Sequence, residues 1–570
     1  MSAHCSVAEA CAASSLFQGV EASQVLALGV QPQPFKAGQW LFGAGDPADR
    51  ALIVLSGIIG LFEGPPEAAG VCFRRACRGE LIGEYGLLCE QPRSASALAL
   101  SDGELLSLNR GALEGLLALA PMLQQRLIRQ LARGASRGRQ ADPARPLTLV
   151  LLNLQPQSPL TAAAERSLLQ ADGDSLLVDA PGVTDSEQLE QLLAEALQRQ
   201  QPTLIRITDA ALLNPRNRLL IDRLVLLIEG EQQALLSEGA RQAQALPARG
   251  TLLVRLWPAA QPRPHSRGLP PMNDALNVLN IRPEQPADLA RLRRCVRGNA
   301  TVLVLGGGGA RGFAHVGALA AFSEPAPGAS GAGRSAETID MVLGVSFGAL
   351  VASLHAFGCT PAEIYAHLER VIIRSRPYAL ALPLHGLFNL EPSRRALQTF
   401  FDGAQVQDSW IPWRSFSTNI SRNRLQAWSH GDVCDAVIAS LSVPGIFPPL
   451  IDQRGERHVD GGLLDNLPVQ AARALSHGQI IAISLDADPE ASTGEGAEGA
   501  ASIARTLVDA MMSASHAHSR RQEKLATLLL RPAIAAYPFL DWRHHRAIHD
   551  EGYRCARQQL AARTESVELP

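Results

Sequence analysis

The chain has 570 residues, 46% of them hydrophobic and 19% charged, with a formal net charge of -3. That length exceeds one ordinary core and points to about three domains, while the near-neutral charge gives no global attraction for polyanions and so argues against nucleic acid as a partner. Nine cysteines without a CxxC pair suit reduced thiols better than a disulfide framework. The first residues, MSAHCSVAEACAASSLF, lack a basic n-region and carry Glu9. The longest clean apolar run, Ala51 to Phe62, falls short of the ~18 residues a membrane span needs. The expected location is cytoplasmic, with membrane contact only peripheral, at the inner face.

From about residue 15 to 134, glycines at 38, 43, 45, 57, 60, 79 and 83 separate short β-type runs, the pattern of a small antiparallel barrel. After Ser107 leucines at 113, 116, 119, 123, 127 and 131 recur at helical steps, so the barrel ends in helix. Within it, RGELIGEYGLLCEQPRSASALA (78–99) places Gly83 and Glu84 at a turn, with Arg93 and Ser94 after Pro92. An acid that accepts from a sugar hydroxyl, near an arginine and free amides, is what a ribose phosphate requires.

Arg133 to Pro146 reads as a linker. From 147 to 295 apolar runs at Thr148–Leu154, Ser175–Val178, Thr203–Ile207, Arg223–Ile228 and Thr251–Leu256 alternate with helical stretches, an α/β layout with a parallel sheet and no catalytic constellation. Pro258 to Pro271 reads as a proline-rich connection.

The last segment, 300–562, carries the chemistry. Thr301–Leu305 is a strand, followed by LGGGGARGFAHVGAL (305–319), a glycine loop entering a helix. Gly307, Gly309 and Gly312 satisfy GxGxxG, but a dinucleotide site also needs an acid about 20 positions on, at the end of the second strand. Asp340 comes 28 positions after Gly312 and precedes its strand. The same amides suit an oxyanion hole. GVSFGAL (344–350) then sets Ser346 at a strand-to-helix turn between two glycines, the context of a nucleophile elbow. For its base, His315, His355, His385 and His458 are available, and HVDGGLLDNLPV (458–469) offers Asp460 at the end of a strand-like stretch.

GGGGARG, GVSFG and DGG in that order, with SLSVPGIFPPL (440–450) before the aspartate, resemble the patatin-like phospholipases over about residues 300–560. The resemblance implies a serine-aspartate dyad of Ser346 as nucleophile and Asp460 as base, with Gly307, Gly308 and Gly309 as oxyanion donors and Arg311 adding positive charge. It implies no catalytic cofactor and no metal. His458, two residues from Asp460 on one strand face, is the best histidine rival.

FKAGQWLFGAGDPADRALIVLSGIIGLF (35–62) together with 78–99 resembles a cyclic nucleotide-binding domain over residues 15–134. That resemblance implies a ribose contact at Glu84 and a phosphate contact at Arg93, flanked by Gly83 and Ser94. Ser96 stands where nucleotide preference is influenced, and the residues leave cAMP and cGMP both open. The order of barrel, α/β segment and patatin-like segment resembles bacterial relatives of neuropathy target esterase. The expectation is therefore a multidomain serine hydrolase acting on phospholipids or lysophospholipids under cyclic nucleotide control. The alternatives are a nucleotide-responsive scaffold with an inactive hydrolase domain, or a general carboxylesterase. His545 and His549 at i, i+4 offer a weak metal spacing, and Tyr378–Phe388 a lid or a piece of core.

Overall fold

The structure, a computed structural model, describes residues 3–14, 16–68, 72–137, 146–170, 176–178, 183, 185–199, 201–231, 250–266, 276–324, 338–375, 379–380, 388–486 and 515–567. Residues 489–502, PEASTGEGAEGAAS, whose few apolar residues read as a surface loop, and most of the 378–388 stretch, including His385, lie outside them. By compactness the chain divides into residues 1–152 with 171–224, and 153–170 with 225–570.

The N-terminal part folds as two antiparallel four-stranded sheets. Leu52, Val54, Ile59, Leu61, Ala97 and Leu105 fill the space between them. A second apolar layer joins Ile53 and Leu55 to Leu113, Leu116, Leu123 and Leu127, and it includes Val7, Ala10 and Cys11 of a helix at Ala3–Ala13. The leucine repeat forms two helices, Arg110–Leu119 and Pro121–Arg137. Pro121 disfavours helical backbone at the residue before it, and Ala120 has φ -132° and ψ 77°.

The expected α/β segment has parallel strands. Thr203–Ile207 pairs with both Leu176–Val178 and Thr148–Asn153, and Thr251–Leu256 pairs with Leu276–Ile281, a strand absent from the sequence reading. The proline-rich connection is more than a tether, because Arg263 donates to the Phe401 carbonyl and Ser266 to Asp408. Buried Arg255 ties the same region together: it donates to Asn280, to the His265 carbonyl and to the Gln407 carbonyl.

The C-terminal part is built on an eight-stranded sheet in the order 450–451, 457–460, 413–419, 341–345, 302–305, 480–483, 528–530, with 424–428 also paired to 413–419. The inner strands are parallel. They are buried on both faces, as their continuous Val, Leu and Ile runs require. The helices Phe313–Phe322 and His545–Val567 pack on one face at their glycines: a Cβ on Gly317 would sit 1.9 Å from the His549 carbonyl oxygen, and one on Gly552 2.0 Å from that of Ala314. Among the described residues no helix is long and apolar enough to cross a membrane.

Candidate active site

Ser346 stands between the strand Met341–Val345 and the helix Phe347–Ala356, at the carboxyl ends of the parallel strands, where open α/β sheets bind ligands. Its backbone has φ 53° and ψ -126°, a strained setting for a residue with a side chain. The flanking glycines are required by contact. A Cβ on Gly344 would lie 2.5 Å from the Gly348 carbonyl oxygen, and one on Gly348 would lie 2.4 Å from that of Leu305. Strand, turn and helix could not close around Ser346 with any larger residue there. The Ser346 amide donates to the Ser440 hydroxyl at 2.8 Å, which donates in turn to the Phe416 carbonyl at 2.6 Å.

Sheet register brings Asp460 to the same place. Val345 pairs with Phe416 and Ser417 with Asp460, so the serine and the aspartate flank one level of the 413–419 strand. Asp460 ends its strand with its amide donated to the Ser442 carbonyl at 2.9 Å. Its buried carboxylate accepts from the Gly462 amide at 2.8 Å and lies close enough to the Ser346 hydroxyl for that group to stabilise its charge. Burial pushes its pKa up to about 6, against the opposing pull of those two donors. A carboxylate of that basicity beside a hydroxyl can accept its proton near neutral pH.

The glycine loop faces the same serine. A Cβ on Gly307 would come within 3.1 Å of the Ser346 Cβ. The Gly307 amide donates to the Asn466 carbonyl at 3.3 Å and that of Ala310 to the Phe539 carbonyl at 2.8 Å, while the amides of Gly308 and Gly309 have no acceptor among the described residues. Those two are the loop's available donors. Arg311 sends its Nε to the Tyr537 carbonyl at 2.8 Å. Asp340, the acid on which the dinucleotide reading turns, is buried in a two-point pair with Arg294, both contacts 2.7 Å, and also accepts from the Thr301 amide.

Among the described residues no histidine hydrogen-bonds to Ser346. His458 meets the Ser417 hydroxyl at Nδ1 (3.1 Å) and Asp452 at Nε2 (3.3 Å). His315 bonds the Gly306 carbonyl at 2.7 Å, and its burial lowers its pKa to about 4. His355 is half-buried, and desolvation of its ring lowers its pKa to about 4. His545 pairs with the Tyr365 hydroxyl and His549 with Asp550, so the i, i+4 spacing does not bring them to a shared point. A carboxylate-histidine group at Asp452, Glu456 and His458 is bound up in local contacts, Asp452 accepting the Arg454 and Glu456 amides and Glu456 the Asn419 side chain. Sequence reasoning missed Ser440 and Asn466 as site residues, although SLSVPG and DGGLLDN were both in view.

In the N-terminal part, Gly83 adopts φ 77° and opens the helix Glu84–Cys89. A Cβ there would lie 2.5 Å from Arg93 Nη1. Arg93 is buried, donates to the Gly83 carbonyl at 3.1 Å, reaches Asp49 at 3.4 Å and stacks over Phe42 at 4.3 Å. Glu84 is buried beside them, its pKa raised by that burial. Ser94 is exposed next to Arg93. Ser96 is fully enclosed, donating to the Gly64 carbonyl and accepting from the Ala44 amide.

Two family models match the chain. Residues 303–473 match the patatin-like phospholipase family and residues 32–119 the cyclic nucleotide-binding domain family. The human patatin-like phospholipase domain-containing protein 6 is 28% identical over 535 residues, which is 80% of this chain and 37% of that one. An uncharacterized NTE family protein of Mycobacterium tuberculosis is 28% identical over 475 residues, 81% of this chain and 76% of that one. The chain thus spans under two fifths of the animal relatives' length. Among solved structures, the Thermus thermophilus catabolite activator protein is 35% identical, covering 22% of this chain and 59% of its own, at a TM-score of 0.20. The cyclic nucleotide-binding match thus lies N-terminal to the patatin-like phospholipase match along the chain.

Proposed function

We propose that this protein is a serine hydrolase that cleaves acyl esters of phospholipids or lysophospholipids through Ser346 and Asp460, under the control of a cyclic nucleotide held at Glu84 and Arg93. The observation that carries the hydrolase reading is the approach of the buried, basic Asp460 carboxylate to the side chain of the strained Ser346. In the first step the Asp460 carboxylate accepts the Ser346 proton while Oγ adds to the ester carbonyl. The oxyanion that forms faces the amides of Gly308 and Gly309. Collapse of the intermediate expels the alcohol, which takes the proton from Asp460, and leaves the acyl group on Ser346. Water then adds to the acyl-enzyme with Asp460 again accepting a proton, and the fatty acid departs as that proton returns to Ser346.

A lipid substrate is favoured by the apolar surroundings. Phe539 lies against Gly309, where a Cβ would be 3.0 Å from its ring, and it belongs to a cluster with Val443, Ile446, Phe388 and Phe447. An acyl chain leaving the serine meets that wall. A series of lysophosphatidylcholines of rising acyl length separates this reading from a general carboxylesterase. Rising kcat/KM with length supports it, and a flat series favours the esterase.

Control by nucleotide rests on the convergence of Gly83, Glu84 and Arg93 at one turn. The catalytic reaction itself calls on no cofactor. Such a lipase works peripherally on a membrane surface. Titration with cAMP and cGMP, read as bound heat and as a change in fatty acid release, tests both the ligand and the direction of control.

A further inference from the structure

Asn466 stands six residues beyond Asp460 and is almost wholly buried. Its backbone carbonyl accepts from the Gly307 amide at 3.3 Å, and its side-chain amide donates to the Gly307 carbonyl at 3.2 Å and to Asp486 Oδ1 at 3.0 Å. One residue thus holds both polar backbone atoms of Gly307. Its Oδ1 occupies the space that side chains at two glycines would need: a Cβ would come 2.4 Å from it on Gly307 and 2.9 Å on Gly462. Gly462 is the residue whose amide holds the Asp460 carboxylate. Behind Asn466, Asp486 lies 3.5 Å from His516.

The geometry points to Asn466 as a positioning residue that keeps the oxyanion loop in register with the loop carrying Asp460, an inference that rests on the hydrolase reading. Four consecutive glycines, Gly306–Gly309, have more backbone freedom than any other sequence of that length. Donors on such a loop stay aimed at a developing charge only if something outside the loop fixes them. His315 fixes the Gly306 carbonyl from the helix that follows. Asn466 fixes Gly307 and also lies against Gly462, so its side chain joins the two halves of the site. The amide carries no proton that titrates and touches no reacting atom. Its effect is on the aim of the Gly308 and Gly309 amides, and a misplacement of ~1 Å in such a site costs about 10²-fold in rate.

The test is the full-length protein with Asn466→Asp, which keeps the shape and removes the donor, and Asn466→Ser, which serves if the first variant does not fold. Each is assayed on lysophosphatidylcholine with Ser346→Ala as the blank. Each is also titrated with a long-chain alkyl trifluoromethyl ketone, whose adduct with Ser346 places an oxyanion against the same amides. The expected result is a fall in kcat of about 10²-fold with KM within about threefold, and a matching weakening of the ketone. A kcat within about threefold of the wild type overturns the inference, as does a fall in kcat with ketone affinity unchanged, which is what a loss of folded protein alone would give. A wild type that releases no fatty acid overturns the hydrolase reading and this inference with it.

Discussion

The Ser440 hydroxyl accepts the backbone amide of Ser346 at 2.8 Å and donates to the Phe416 carbonyl at 2.6 Å, bridging the elbow to the neighbouring strand. Both residues are buried. Ser440→Ala leaves one N–H and one carbonyl there without partners, a cost of about 1–3 kcal/mol for each group so stranded. That loss falls on the segment that holds Ser346 at positive φ. The expected outcome is a lower melting temperature together with a fall in kcat larger than any change in KM, measured by thermal unfolding and steady-state kinetics. Unchanged values for both remove Ser440 from the account.

Asp460 has to be ionised to accept the Ser346 proton, and burial raises its pKa from 3.8 to about 6. The free-enzyme profile of kcat/KM is therefore expected to rise with pH on a limb centred near 6. A profile flat from pH 4 to 8 contradicts this.

The same shift acts on stability with a definite sign. Because the folded pKa lies above the unfolded one, the folded state binds the proton more tightly. The stabilisation by protonated Asp460 is fully present below about pH 3.8 and is lost as pH rises through about 6. Asp460→Asn removes that penalty, so it is expected to stabilise the fold at pH 8 by on the order of 2 kcal/mol and by much less at pH 4. Denaturant titrations at the two pH values read the difference.

Gly348→Ala puts a methyl group 2.4 Å from the Leu305 carbonyl oxygen and 2.8 Å from that of Gly306. Both are backbone atoms of the strand and loop that carry the oxyanion donors. The variant is expected to lose at least 10²-fold in kcat/KM even where it folds, and circular dichroism with kinetics separates the two effects.

Arg255 is buried, with its pKa lowered by desolvation to about 10 and its guanidinium shared among Asn280, two carbonyls and Asp408. Arg255→Met leaves the buried Asp408 carboxylate without its cationic partner and is expected to cost about 3–5 kcal/mol by equilibrium unfolding. Substrate KM is expected to stay near that of the wild type, since none of these groups touches Ser346.

Much of this site was legible in the sequence because its constraints are local. GVSFG encodes a strand, a strained turn and a helix in one stretch, and the contacts at Gly344 and Gly348 explain both glycines. The four glycines at 306–309 announce exposed amides in the same way. The partnership of Ser346 with Asp460 is not local: it follows from the register of 413–419 against 341–345 on one side and 457–460 on the other. Only a family resemblance could bring the aspartate forward ahead of His458, and the structure accounts for the histidine by giving both its nitrogens to Ser417 and Asp452. Ser440 and Asn466 escaped notice because a buried neutral side chain bonded to backbone looks, in sequence, like any other serine or asparagine. The strand Leu276–Ile281 escaped for a similar reason, since its asparagines at 277 and 280 break the apolar run while serving Arg414 and Arg255.

The most direct test of the central claim is fatty acid release from lysophosphatidylcholine by the wild type, Ser346→Ala, Asp460→Asn and His458→Asn. Release by the wild type and by His458→Asn, with release abolished in the other two, is the result expected of a Ser346–Asp460 dyad. Release that survives Asp460→Asn but is lost in His458→Asn contradicts it.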